Sequence, residues 1–197
     1  PHLYHVLTGQ ALAEAAIRPS GFPHLDLLPA DRDLVGVEVE FAGLEGWEGR
    51  LSDALAPVVS SYQTVLLDCP PSLGHLTVTA LAAASAVLVP LQCEYFALEG
   101  IRELLSTVER VRGGINPDLE IAGIVLTMYD DRTNLAQDVA AEARRHFGSK
   151  VFTTVVPRNV RLAEAPSHGL PVLAYDIKCR GAEAYLELAR ELLGVPA

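Results

Sequence analysis

Apolar runs alternate along the chain with segments in which apolar residues recur every three to four positions. The continuous runs predict buried strands, and the recurring positions predict helices that pack on them. Strands are predicted at residues 24–28, 65–68, 86–89, 121–127 and 151–156, and helices at 3–17, 47–59, 76–84, 98–111, 134–147 and 182–193. Residues 34–41 fit either a strand or a helix. We therefore predict one α/β domain, residues 1–197, with a mostly parallel sheet.

Composition narrows the class of protein. Half of the 197 residues are hydrophobic and a fifth are charged, as in ordinary globular domains. The net charge of −10 disfavours a protein that coats nucleic acid over its whole surface. A local basic patch is still possible, because eight cations lie at residues 132–180 in the second half of the chain, whereas the acidic excess lies in the first half. These cations are Arg132, Arg144, Arg145, Lys150, Arg158, Arg161, Lys178 and Arg180. No membrane span and no signal peptide are predicted, so a cytoplasmic location is expected.

No metal or disulfide framework is predicted from the cysteines and histidines. Cys69, Cys93 and Cys179 lie far apart and form no C-x-x-C motif. The six histidines do not predict a metal site either. His2 and His5 could share a helix face, but such a pair near a chain terminus is more often solvated than a ligand set.

One carboxylate stands out by its place in the pattern. Asp68 ends an apolar run, and Pro70 and Pro71 follow, which cannot donate to a neighbouring strand. A carboxylate at the carboxyl end of a buried strand is where open α/β sheets bind phosphates and metal ions. A turn capped by an aspartate fits the same residues, and the run alone does not decide between the two.

Five segments carry a family resemblance: VLLDCPPSLG at 65–74, VPLQCEYFALEG at 89–100, LTMYDDRTNL at 126–135, VVPRNVRLAEAPSHGLPVL at 155–173 and YDIKCRGAEAYLELA at 175–189. In this order and spacing they resemble the ParA/Soj chromosome-partitioning family of P-loop ATPases, over about two thirds of the chain. The resemblance implies a doubly wound sheet of the P-loop nucleotidase type that lacks its first strand in this chain. Related ATPases such as MinD share the Asp-Cys/Ser-Pro signature but lack the RTN and EAPSHG segments in this form.

The resemblance also implies an ATP/ADP and Mg²⁺ site. Asp68 would be the Walker B aspartate, catalytic and bound to Mg²⁺ through water. Thr127, Pro157, Arg158 and Asn159 match positions around the adenine ring. Asn159 could equally be a helix N-cap.

The implied partners are non-specific DNA and a ParB-like centromere-binding protein that stimulates hydrolysis. Arg132 and Arg161 match arginines that bind DNA in the ATP-bound homodimer, and Arg180 could extend the patch. Ordinary solvation would also explain these arginines. Association with the nucleoid, and no association with membranes, are expected.

The chain departs from the family at its glycine-rich loop. A K-G-G-x-G-K-S/T sequence, whose N–H groups and lysine bind phosphates, does not occur, and Gly148-Ser149-Lys150 is the nearest match. We expect a fragment of a longer protein rather than a degenerate homologue, and a chain that is inactive alone. A non-catalytic DNA- or partner-binding regulator and a MinD-like positioning ATPase are the alternatives; the latter predicts a basic amphipathic C-terminal helix, which residues 191–197 fit poorly.

Overall fold

The structure is a computed structural model that describes residues 1–95 and 97–194. Phe96, inside the motif at 89–100, and residues 195–197, inside the segment compared with a membrane helix, lie outside the described residues. The chain groups into two compact units. The first unit comprises residues 1–85 and 107–119, and the second unit comprises residues 86–106 and 120–197. That they form one domain stays a prediction.

The first unit consists mainly of short helices. Its elements, in chain order, are α1 (Leu3–Leu7), α2 (Ala13–Ala16), β1 (Arg18–Pro19), β2 (Asp26–Leu27), a 3₁₀ turn (Arg32–Val35), α3 (Gly36–Glu40), a 3₁₀ turn (Trp47–Gly49), α4 (Arg50–Val59) and α5 (His75–Ala83). The strands β1 and β2 pair antiparallel. The segment 34–41, which fitted either a strand or a helix, is helical, because the 3₁₀ turn and α3 cover most of it. The strand predicted at 24–28 is shorter than expected and comprises only the two residues of β2.

The first unit buries its apolar side chains around α3. Phe41 and Val37, both almost fully buried, pack with Leu7, Leu51 and Ala80 from three other helices. A second cluster joins the helices α1, α2 and α4 and consists of Val6, Ala13, Ala16 and Val58. These contacts bring α3 beside α5, the helix that follows the Asp68 segment.

The second unit is a parallel sheet with helices between its strands. Its elements are β3 (Ala86–Gln92), α6 (Ala97–Gly114, whose second half belongs to the first unit), β4 (Glu120–Tyr129), α7 (Asn134–Phe147), a 3₁₀ turn (Gly148–Lys150), β5 (Val151–Pro157), α8 (Val160–Glu164), a 3₁₀ turn (Ala165–His168), α9 (Val172–Tyr175) and α10 (Arg180–Leu193). The strand order is β3-β4-β5, and both pairings are parallel.

Both faces of this sheet are covered, because side chains along a strand point alternately to opposite faces. Ile124 and Leu126 of β4 pack with Ile101 of α6 and with the alanines of α7. Between them, Val125 packs on the other face with Leu188 of α10. The predicted α/β fold with a doubly wound parallel sheet is confirmed, and the strands at 86–92, 120–129 and 151–157 extend the predicted runs.

The strand predicted at residues 65–68 is wrong. No described residue pairs with residues 64–70, and the side chain of Leu66 is 81% exposed. Leu67 nevertheless packs on the cluster around Phe41, whereas its neighbour Leu66 is exposed. Apolar alternation predicts which side chains turn inward, whereas a strand also needs hydrogen-bonding neighbours, and these cannot be read from the run itself.

Within the described part of the chain, no helix has the length and apolar character needed to cross a membrane.

Candidate functional site

Asp68 lies in the first unit, in the unpaired segment between Leu67 and α5. Its carboxylate is exposed and makes no hydrogen bond or ion pair with any described residue. A rigid turn of Pro70 and Pro71 follows, and the Ser72 carbonyl accepts a hydrogen bond of 2.5 Å from the Thr77 hydroxyl in the first turn of α5. The turn-capping alternative predicts hydrogen bonds to the Asp68 side chain, and among the described residues there are none.

The start of α5 is fixed by a carboxylate that sequence reasoning missed. Glu38 of α3 accepts hydrogen bonds from the N–H groups of His75 (2.8 Å) and Leu76 (3.1 Å), and the His75 Nδ1 lies 2.9 Å from the same carboxylate. Burial works against ionisation of Glu38, but these hydrogen bonds outweigh it and lower the pKa of the carboxyl group. A negative charge at a helix N-terminus is stabilising. Glu38 lies 37 residues before His75, so no local pattern could have revealed it.

The predicted adenine-side residues lie at the carboxyl edge of the sheet in the second unit. Thr127 pairs with Gln92 on the neighbouring strand, and Pro157 pairs with Tyr129. The N–H of Arg158 donates to the Tyr129 carbonyl at 2.9 Å, so the ends of β4 and β5 are joined. The structure thus brings Thr127 and the turn 157–159 to one edge of the sheet.

Two of these residues have structural roles as well. The side-chain oxygen of Asn159 accepts from the N–H of Arg161 at 2.9 Å and caps α8, so the N-cap interpretation is confirmed. The guanidinium of Arg158 pairs with Glu94, beyond β3, at 3.1 Å. The ion pair does not occupy the whole Arg158 side chain, because Arg158 and Glu94 are each more than half exposed.

Arg132 follows β4 and is held by Asp130. Its Nε and Nη2 donate to the two oxygens of the Asp130 carboxylate at 2.8 and 2.7 Å, and its N–H donates to the same carboxylate at 3.1 Å. These bonds hold the pKa of Asp130 at about 2. The Asp130 side chain is 18% exposed and the Arg132 side chain 84%. The remaining donors of the guanidinium therefore face solvent.

Arg161 is also held by carboxylates, whereas Arg180 is not. Arg161 of α8 pairs with Glu164 at 2.8 Å and with Asp176 at 3.4 Å, and its pKa is raised, first by the Glu164 hydrogen bond. Arg180, the first residue of α10, is exposed and forms no ion pair with a described residue. The Arg161–Glu164 pair has the i,i+3 spacing of a helix and could have been predicted from the sequence, whereas the Asp130–Arg132 pair depends on the conformation of the loop after β4.

The segment Gly148–Lys150 is not a phosphate loop. It connects the end of α7 to the start of β5 and so lies at the amino edge of the sheet. Thr127 and Pro157 lie at the opposite, carboxyl edge, where open α/β sheets bind their ligands.

One group of possible metal ligands occurs among the described residues, namely His2, Asp31 and Asp33, with ligand atoms within 4.8 Å of one another. His2 Nε2 is already paired with Asp31 at 2.8 Å, and its buried Nδ1 has no hydrogen-bond partner. A metal-bound histidine normally donates its second N–H to an acceptor. The arrangement does not fit a metal centre.

Comparison with known proteins gives a consistent result. Residues 1–121 match a family model described as AAA domain. The chromosome partitioning protein ParA of Caulobacter vibrioides is 56% identical over 97% of this chain and 72% of its own length. The chromosome-partitioning ATPase Soj of Treponema pallidum is 50% identical over 97% of this chain and 76% of its own length.

A solved structure agrees with these relatives. Cobyrinic acid a,c-diamide synthase from Mycobacterium smegmatis, crystallised with bound ADP and magnesium, is 35% identical and superposes with a TM-score of 0.83, over 98% of this chain and 71% of that one. The sequence motifs, the parallel sheet and the relatives lead to one family. This chain belongs to the ParA/Soj family of chromosome-partitioning ATPases.

Proposed function

We propose that this chain works in DNA segregation as part of an ATP-dependent homodimer that binds DNA non-specifically and is stimulated by a ParB-like partner. The observation that carries the proposal is the pair of exposed arginines, Arg132 and Arg161, at the carboxyl edge of the sheet beside the turn 157–159. The adenine ring and the DNA would thus both bind at the carboxyl edge of the sheet. The cargo is a chromosome or a plasmid, and the working location is the nucleoid.

The nucleotide would be ATP or ADP, with the adenine ring near Thr127, Pro157, Arg158 and Asn159. A purine needs an apolar surface and a few polar groups directed at its edge. Pro157 supplies the first, and the Thr127 hydroxyl, the Asn159 amide and the exposed Arg158 guanidinium can supply the second. The hydrogen bond between Arg158 and Tyr129 holds this turn in place.

Asp68 would hold Mg²⁺ through a water molecule. Mg²⁺ in nucleotide sites is bound through one or two carboxylates, with phosphates and waters as its other ligands. An exposed carboxylate without a partner among the described residues fits that requirement. When bound, Mg²⁺ neutralises phosphate charge; the protein's part is to hold Asp68 in position through the turn of Pro70 and Pro71 and the start of α5.

The DNA surface is tested by replacing both arginines with alanine. We expect the Arg132→Ala/Arg161→Ala variant to bind a random-sequence duplex about tenfold more weakly, and a plot of log K against log salt to be shallower by about 1.8, since each lost phosphate contact removes about 0.9. Fluorescence anisotropy with labelled DNA over a salt series measures both quantities. Arg145→Ala, which removes one exposed arginine of α7, is the matched control. An unchanged slope in the double variant would remove these arginines from the DNA surface.

The 197-residue chain itself is expected to bind Mg-ATP more weakly than about 1 mM, equivalent to less than about 4 kcal/mol of binding free energy. The reason is that the backbone N–H groups and the lysine of a glycine-rich loop supply the phosphate contacts, and the sequence contains no such loop. Isothermal titration calorimetry measures the affinity. Sub-millimolar binding would contradict the expectation. Strong DNA binding that ignores nucleotide would favour the non-catalytic regulator instead.

A further inference from the structure

The Asp130–Arg132 pair is the most completely bonded ion pair at the carboxyl edge of the sheet. Both carboxylate oxygens of Asp130 are engaged, by Nε, Nη2 and the backbone N–H of Arg132. Such a two-pronged pair fixes the plane of the guanidinium. It also places the negative charge of Asp130 beside the Arg132 guanidinium, which is proposed to bind DNA.

Besides the bond from the Arg132 N–H to the Asp130 side chain, the loop around this pair is held by hydrogen bonds to backbone carbonyls. The backbone N–H and the hydroxyl of Thr133 both donate to the Asp130 carbonyl, at 3.1 and 3.0 Å. The Gln137 side chain donates to the Asp131 carbonyl at 2.7 Å, and Thr133 caps α7. The loop is therefore held mainly by backbone acceptors, and an uncharged side chain at position 130 can be accommodated if it keeps one oxygen for the Arg132 N–H.

We propose that Asp130 lowers the affinity of DNA binding through Arg132 and so keeps it low enough for release. The proposal rests on the DNA binding proposed above. Its physical basis is charge. A phosphate that contacts the outward donors of Arg132 comes within about 6 to 7 Å of the Asp130 carboxylate, and the repulsion at that distance in water corresponds to about a threefold loss of affinity.

The neighbouring ion pairs do not have this arrangement. Arg158 meets Glu94 through one nitrogen only, at 3.1 Å, and both side chains are more than half exposed. Arg161 shares Glu164 with the Tyr175 hydroxyl, which donates to it at 3.2 Å. Asp130 alone of these carboxylates binds its arginine through both oxygens and through the backbone.

The test is a double-mutant cycle on DNA affinity. Asp130→Asn keeps an oxygen for the backbone N–H and for Nε of Arg132 but removes the charge, so its affinity for a random-sequence duplex is expected to rise about threefold, with a steeper salt dependence. In the Arg132→Ala background the same substitution is expected to change nothing. The 197-residue chain is used throughout, without nucleotide and at low salt, where the phosphate contacts of single chains are strong enough to measure as weak non-specific binding, with Kd of about 1 to 100 μM. Labelled duplex is the probe.

Glu142→Gln is the matched control. It removes one negative charge from the same unit, and Glu142 pairs with Arg145 and His146 on α7, about 12 Å along the helix from its start. Its affinity is expected to equal that of the unmodified chain.

The outcomes separate the two proposals. If Arg132→Ala has no effect or no duplex binding is seen, the DNA surface itself is wrong, and the role of Asp130 falls with it. If Arg132→Ala weakens binding but Asp130→Asn leaves it unchanged or lowers it, the DNA surface stands and Asp130 only orients the arginine. An equal gain in Asp130→Asn and Glu142→Gln would show a net-charge effect and overturn the specific role.

Discussion

Replacing Gly123 by alanine is expected to lower the free energy of unfolding by about 2 kcal/mol, because the added methyl group has no room in a packed core. Gly123 is buried in β4, opposite Leu88. A Cβ atom there would lie 2.7 Å from Cζ of Phe152 and closer still to Cε2. The Phe152 ring is itself packed against Val125, Val156 and Leu188, so it cannot move aside without displacing them. Urea unfolding followed by far-ultraviolet circular dichroism measures the change.

Two further variants show whether this contact is the cause. Gly100→Ala is the matched control, since Gly100 lies in α6 with nothing within 4 Å of the added Cβ. It is expected to stabilise the chain by about 0.5 kcal/mol, as alanine does in an open helix position. In the Gly123→Ala/Phe152→Leu variant, the smaller side chain should recover part of the loss. If Gly123→Ala were as harmless as Gly100→Ala, the close packing of β4 on Phe152 would be refuted.

The sequence predicts the second unit better than the first for a physical reason. Its strands are continuous apolar runs buried on both faces, and its helices α7 and α10 have well-marked apolar stripes, so local pattern and tertiary structure agree. In the first unit, short helices meet through contacts distant in sequence. The predicted strand at 65–68 is wrong there because pairing depends on neighbours that the run does not encode.

The candidate site follows the same division. The sequence places Thr127 and Pro157 at strand ends, and the parallel sheet brings those ends to one edge without any further information. The carboxylates that hold the nearby side chains are harder to predict from the sequence. Glu164 lies three residues after Arg161, a helical spacing that a search would find, whereas the Asp130–Arg132 pair depends on the loop conformation. Glu38 acts on a helix 37 residues away, and only the packing of α3 beside α5 reveals it.

Glu38→Ala is expected to destabilise the first unit by about 2 kcal/mol. Three hydrogen bonds to one carboxylate are lost, and two of the donors are backbone N–H groups of the first turn of α5, which then lack their partner. The single tryptophan provides the probe, because the Trp47 ring contacts the His75 ring edge-on at a centroid distance of 4.6 Å. Urea unfolding followed by its fluorescence reports on the element that Glu38 holds.

The pH dependence of the stability shows whether Glu38 acts through its negative charge or through packing. The pKa of Glu38 is lowered in the folded protein, so its contribution is fully present above the pKa of the unfolded chain, about 4.3, and is lost as the pH falls through the lower folded value. The stability gap between the unmodified chain and Glu38→Ala should therefore be constant from neutral pH to about pH 5 and narrow below it. Glu45→Ala removes an exposed carboxylate without a described partner and should show no gap at any pH. A gap that did not narrow in acid would mean that Glu38 holds α5 by shape alone, and the charge at the start of the helix after Asp68 would have no positioning role.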